Sequence, residues 1–79
     1  MSKQIKLIWD FRGPDAQGIA EHYKIHLDQY LERNQLSSDL VKTGIEEITG
    51  MYCLAYMAID EESAEEVIKA LRPHRRETI

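Results

Sequence analysis

The sequence predicts an α+β fold: a two-layer sandwich of β-α-β-β-α order with an optional last strand, in which an antiparallel sheet carries two helices on one face. Three observations predict it. Residues 5–12 alternate in side-chain character with a period of two, the mark of a half-buried strand. Apolar residues between 16 and 33 recur at three- and four-residue steps, the mark of an amphipathic helix. Residues 51–59 are apolar on both faces, as in a strand that is covered on both sides. At 79 residues and 9.2 kDa there is room for one domain, 1–79, with 73–79 a tail or a short last strand. Its core lies near the lower limit at which burial outweighs chain entropy. The 43% hydrophobic and 30% charged residues describe a globular chain rather than a disordered one.

In the first strand, Ile5, Leu7, Trp9 and Phe11 lie on one side, with Lys6, Ile8, Asp10 and Arg12 on the other. Gly13-Pro14-Asp15 breaks that period, and proline, whose φ is fixed near the helical value, suits a first helical turn. The helix that starts there is expected to bury Ala16, Ile19, Ala20, Tyr23, Leu27, Tyr30 and Leu31 and to run to Arg33 or Asn34. Residues 34–39 are rich in turn formers. Residues 40–48 read as a second strand with Val41, Thr43 and Ile45 on one side, and Thr49-Gly50 as a turn. In the third strand, Tyr52, Leu54, Tyr56 and Ala58 alternate with Met51, Cys53, Ala55, Met57 and Ile59. Asp60 can cap the next helix. Glu61, Glu62, Glu65 and Glu66 suit its positive end, and Ser63 and Glu66 have capping-box spacing. Ala64, Val67, Ile68 and Leu71 form its buried stripe, and Arg72-Pro73 ends it. The right-handed crossover rule puts strand one beside strand three with both helices on one face.

On this element order and helix patterning, which cover nearly the whole chain, the sequence resembles the ferredoxin-like folds, in particular the small members that form dimeric α/β barrels by facing their open sheets. The resemblance implies a homodimer and a pocket between helices and sheet. It implies no activity, because the same fold hosts enzymes, ligand-binding modules and assembly domains.

Charge narrows the function classes. Residues 1–71 hold 7 Lys/Arg against 13 Asp/Glu, whereas residues 72–79 hold three Arg, one His and one Glu. An acidic body repels phosphate backbones, so no nucleic acid is expected as a partner. The single cysteine, Cys53, allows no internal disulfide. No apolar run approaches the roughly 18 residues of a membrane span, so the expectation is a soluble, cytoplasmic protein with no membrane partner. No cofactor is implied.

Several residues could carry chemistry. His22 and His26 stand one helical turn apart and could share a metal, on a flank that also carries Asp15 and Arg33. Position 23 is Tyr, where a zincin-type helix would carry its glutamate, and no third ligand is evident, so no metal site is assigned; the plainer reading is a polar helix flank. Asp10 and Arg12 share the face of strand one that lacks a helix. They are expected to make a cross-strand or inter-subunit ion pair, or else to bind a small charged ligand beside the helix start, where Asp15 competes for the same N–H groups. Thr49-Gly50-Met51-Tyr52-Cys53-Leu54-Ala55-Tyr56 invites comparison with RNA-recognition modules, but Thr49 replaces their basic residue while Met51 and Cys53 occupy the stacking positions. Cys53, mid-strand among apolar residues, reads as an inert core residue. Arg72, Arg75 and Arg76 could meet an acidic partner.

The function these residues imply is a small dimeric ligand-binding or protein-interaction domain. The rivals are a dimeric-barrel enzyme with a pocket lined by His22, His26, Asp10 and Arg12, and a purely structural assembly unit. Two helices cover one face of strand three, which leaves either Tyr52, Leu54 and Tyr56 or Met51, Cys53, Met57 and Ile59 for a second copy. Ile8 joins the former set, and Ile8, Tyr52, Leu54 and Tyr56 are the expected interface.

Overall fold

The computed structural model describes residues 3–36 and 41–78. The elements are β1 (Gln4–Arg12), α1 (Ala16–Arg33), β2 (Lys42–Thr49), β3 (Tyr52–Asp60), α2 (Glu61–Leu71) and β4 (Arg75–Thr78). They make an α+β chain: a four-stranded, fully antiparallel sheet in the order β2-β3-β1-β4, with two helices. β1 lies beside β3, as expected. Part of the expected 34–39 connector and the expected strand start at Leu40 fall outside the described residues. So does Ile79.

Register explains which face is covered. Ile5, Leu7, Trp9 and Phe11 lie opposite Ile59, Met57, Ala55 and Cys53, so all eight project to one side. The main core gathers Ile5, Leu7, Trp9, Ala55, Met57 and Ile59 from the sheet, Leu27 and Leu31 from α1, and Ala64 and Val67 from α2. A satellite of Ala16, Ala20 and Cys53 lies under the first turns of α1. Both helices therefore pack on the odd-numbered face of β1 and β3.

The chain ends of each helix have local causes. Gly13 turns the corner out of β1 at φ 118, where any side chain would be strained, and donates its N–H to the Met51 carbonyl in the β2–β3 turn. α1 starts at Ala16, after rather than at Pro14, and Asp15 precedes it without a side-chain cap. At the far end, Leu36 N–H donates to the Leu31 carbonyl and Gln35 N–H to that of Glu32, with Gln35 left-handed at φ 57. This is a Schellman closure with glutamine where glycine is usual. The Asp60 carboxylate accepts from Ser63 N–H and caps α2, so the reciprocal Ser63/Glu66 box is not formed. The last carbonyl of α2, at Leu71, accepts from the Trp9 indole N–H at 3.0 Å, which satisfies one of the acceptors a helix end leaves open.

Two expectations need correction here. Ile19 is not part of the buried stripe but 47% exposed, because α1 rolls Ala16 and Ala20 onto the sheet and leaves Ile19 on its flank. Met51 belongs to the turn, and β2 carries a bulge between Glu47 and Thr49. Of the two readings left open for 73–79, the strand is the one formed: Arg75–Thr78 pairs with Ile5–Ile8.

Candidate functional site

The even-numbered residues of β1 and β3 form the face that no helix covers. Asp10 and Arg12 lie there, opposite Leu54 and Tyr52, with Tyr56 opposite Ile8. Of these two residues, Asp10 makes a cross-strand ion pair and Arg12 does not. Asp10 pairs with Arg75 of β4, not with Arg12: Arg75 Nε and Nη2 each donate at 2.9 Å to the two Asp10 carboxylate oxygens. The Tyr52 hydroxyl donates to the same carboxylate. Arg12 instead stacks its guanidinium 4.2 Å from the centre of the Tyr52 ring. The Arg75 guanidinium holds the Asp10 carboxyl below the usual aspartate range, helped by Tyr52 against the opposing effect of burial. In return the carboxylate raises the Tyr52 phenol and the Arg75 guanidinium.

A second lacing crosses the other half of the face. Lys6 on β1 reaches over β3 to Glu46 on β2 at 2.8 Å, with its ammonium 4.6 Å from the centre of the Tyr56 ring. Glu46 accordingly raises the Lys6 pKa. The Tyr56 ring lies across Gly44, its partner on β2, where there is no side chain to keep it off. Arg75 lies opposite Ile8 and reaches Asp10. Ile8 and Leu54, expected to wait exposed for a second copy, are 2% and 5% exposed in the single chain. The accessible part of the expected interface is Tyr52 and Tyr56.

His22 and His26 lie on the exposed flank of α1, their rings edge to face with centroids 4.8 Å apart. They are on the helix side of the sheet. Asp10 and Arg12 are on the other, so these four residues do not line one pocket. Among the described residues no group of three or more His, Cys, Asp or Glu side chains is placed to hold a metal ion. The concavity between helix and sheet lies elsewhere, a groove of about 590 Å³ lined by Lys3, Ile5, Glu61, Glu62, Glu65, Arg76 and neighbouring residues of α2. Cys53 is buried, and burial pushes its thiol pKa up. No helix among the described residues is long and apolar enough to cross a membrane.

Sequence reasoning missed three contributors. Gly44 was legible as a glycine inside a strand, which often marks the close approach of another group. Arg75 required β4 to be paired. His74 immediately precedes β4 and extends its pairing along the edge of β1: its backbone N–H donates to the Ile8 carbonyl and its Nδ1 accepts from Asp10 N–H at 2.8 Å. No family model, curated protein or solved structure matches this chain.

Proposed function

We propose that this chain is a ferredoxin-like, two-layer α+β sandwich that works in the cytoplasm as a small homodimeric interaction domain, with the helix-free sheet face as its contact surface. Read from its other edge, the strand order is β4-β1-β3-β2, with both helices packed on one side, which supports the ferredoxin-like reading.

The observation that carries the function is the pair Tyr52 and Tyr56, which share the helix-free face with buried Ile8 and Leu54 and have Arg12 and Lys6 over their rings. Tyrosine and arginine are favoured in interface centres because they offer large amphipathic area at a small entropy cost. Here the rings are already fixed by contacts within the chain, which lowers that cost further. Lys6, Arg12, Lys42 and Arg75 mix with Asp10, Glu46 and Glu77 on this face, so the surface can meet its own copy about a two-fold axis without a single-sign field. A phosphate backbone would find no such field to bind either.

Sedimentation equilibrium at low micromolar concentration tests the reading. A dimer that Tyr56→Asp converts to a folded monomer supports it; a well-folded 9.2 kDa species in the unaltered protein overturns it.

A further inference from the structure

The flank of α1 carries Asp15, His22, His26 and Arg33, all exposed. At about 100° per residue the four fall within roughly 40° of one another around the helix, so they form one stripe along its length. Next to the histidines, Gly18 presents no side chain, and Ile19 and Tyr23 complete a shallow trough of about 430 Å³ that also takes in Asp15. Among the described residues neither end of the stripe is engaged. Asp15 makes no side-chain capping bond, and among the described residues Arg33 makes no ion pair or side-chain hydrogen bond.

Two properties of the stripe are incomplete in one copy. Two imidazoles supply half of the four ligands that zinc takes, and no third group lies near them among the described residues. The stripe is also an antisymmetric palindrome about Lys24: His22 and His26 stand two positions to either side of it, and Asp15 and Arg33 nine positions to either side. A two-fold axis over that point, laying α1 antiparallel on α1 of a second copy, sets His22 opposite the partner's His26. The same operation sets Asp15 opposite the partner's Arg33, twice, with opposite charges facing. Lys24 does not intrude, because its ammonium is held 2.9 Å from Asp28, toward β2.

We propose that this stripe is a metal-bridged two-fold contact, in which His22 and His26 from each of two copies bind one divalent ion of the imidazole-preferring class, zinc foremost, between paired Asp15 and Arg33 side chains. The contact lies on the helix side of the sheet, away from the tyrosine face, and so does not rest on the function proposed above.

The test uses tag-free, metal-stripped protein titrated with zinc, followed by calorimetry and sedimentation velocity. In the Tyr56→Asp background, where the tyrosine face no longer joins copies, the expected result is a mass twice that of the chelated sample at one ion per two chains, reversed by EDTA. His22→Ala and His26→Ala each lose the doubling while the Trp9 emission stays native, which separates lost ligation from lost folding. Asp15→Arg weakens the assembly, and Asp15→Arg combined with Arg33→Asp restores it. Tyr56→Asp leaves the zinc-dependent doubling in place. One ion per chain without a change in mass, no heat of zinc binding, or a doubling that survives either histidine change overturns the proposal. Failure of the charge swap to restore assembly overturns the antiparallel geometry.

Discussion

Gly44→Ala is expected to destabilise this protein, although alanine normally improves on glycine inside a strand. The usual gain comes from the backbone freedom that glycine alone must give up, roughly 0.5–1 kcal/mol. At Gly44 an added methyl carbon would stand 2.5 Å from the Tyr56 hydroxyl oxygen, 2.6 Å from Cζ and 2.8 Å from Cε2. Carbon contacts are comfortable only at about 3.5–4.0 Å, so the ring must move by about 1 Å. It cannot do so alone, because Lys6 lies over it and is tied to Glu46. Overpacking of this kind costs about 1–3 kcal/mol, and a value of about 2 kcal/mol applies because Tyr56 is half-buried and can swing outward only by displacing Lys6. Subtracting the glycine gain leaves a net loss near 1 kcal/mol, or about 4–8 °C in Tm for a domain of this size. In a Tyr56→Ala background the obstacle is gone and the same substitution should stabilise, giving a coupling energy of about 1–2 kcal/mol across the cycle. Urea unfolding at fixed protein concentration, followed by the emission of Trp9, the chain's one tryptophan and 2% exposed, reads all four variants. A higher midpoint for Gly44→Ala in the unaltered background, or the same sign in both, would refute the placement of the Tyr56 ring.

Three further outcomes are expected. Asp10→Asn should cost about 1 kcal/mol, since Arg75 and Tyr52 lose a shared acceptor but can still reach water. The folded-state carboxyls of Asp10 and Asp28 lie below the ordinary aspartate value of about 3.9, so their stabilisation is present above that pH and lost as pH falls. Asp10→Asn should accordingly flatten the acid limb of a stability–pH profile, and an unchanged limb would rule that out. Gln35→Gly should raise stability by roughly 0.5–1 kcal/mol, because the left-handed Schellman position favours glycine; thermal melts that move down would contradict the cap geometry. Cys53 should resist Ellman's reagent in the native protein and react at once in denaturant, whereas prompt native labelling would show that strand β3 opens readily.

Periodicity made the elements legible, because burial on one face imposes a period of two on β1 and one near 3.6 on both helices. It also placed Asp10 and Arg12 on the uncovered face. It could not choose the outward face of β3, which is apolar on both sides. That choice is made by register: Met57 and Ile59 lie opposite Leu7 and Ile5, whose own alternation with Lys6 is unambiguous. Nor could periodicity find the Asp10–Arg75 pair, whose partners stand 65 positions apart and meet only once the tail is zipped onto β1. Ile19 was misassigned because a wheel drawn from apolar residues alone cannot tell a buried stripe from its exposed border. The same border carries His22 and His26 of the proposed metal contact.

Salt separates the two proposed contacts, because their charges start from different states. On the tyrosine face, Lys6 already holds Glu46 and Arg75 already holds Asp10 within one chain, with side-chain exposures of 25% and 45% for the first pair and 46% and 16% for the second. A second copy laid on this face covers pairs that are already made. Ions in solution then have little attraction between copies to screen, and association should draw on the apolar area of Tyr52 and Tyr56. On the α1 stripe, Asp15 and Arg33 have no ion-pair partner among the described residues of their own chain, so their attraction across the axis is a property of the assembly and is screened over about 10 Å at 0.1 M salt. Raising sodium chloride from 0.05 to about 0.5 M should therefore leave the zinc-free dimer constant nearly unchanged, because the Debye length shrinks around charges that gain nothing on association. The same change should weaken the zinc-dependent step several-fold, and Asp15→Asn should remove most of that sensitivity. A zinc-free dimer that dissociates with salt would mean that the paired charges of the tyrosine face exchange partners between copies, and the description of that face as already satisfied would have to be given up.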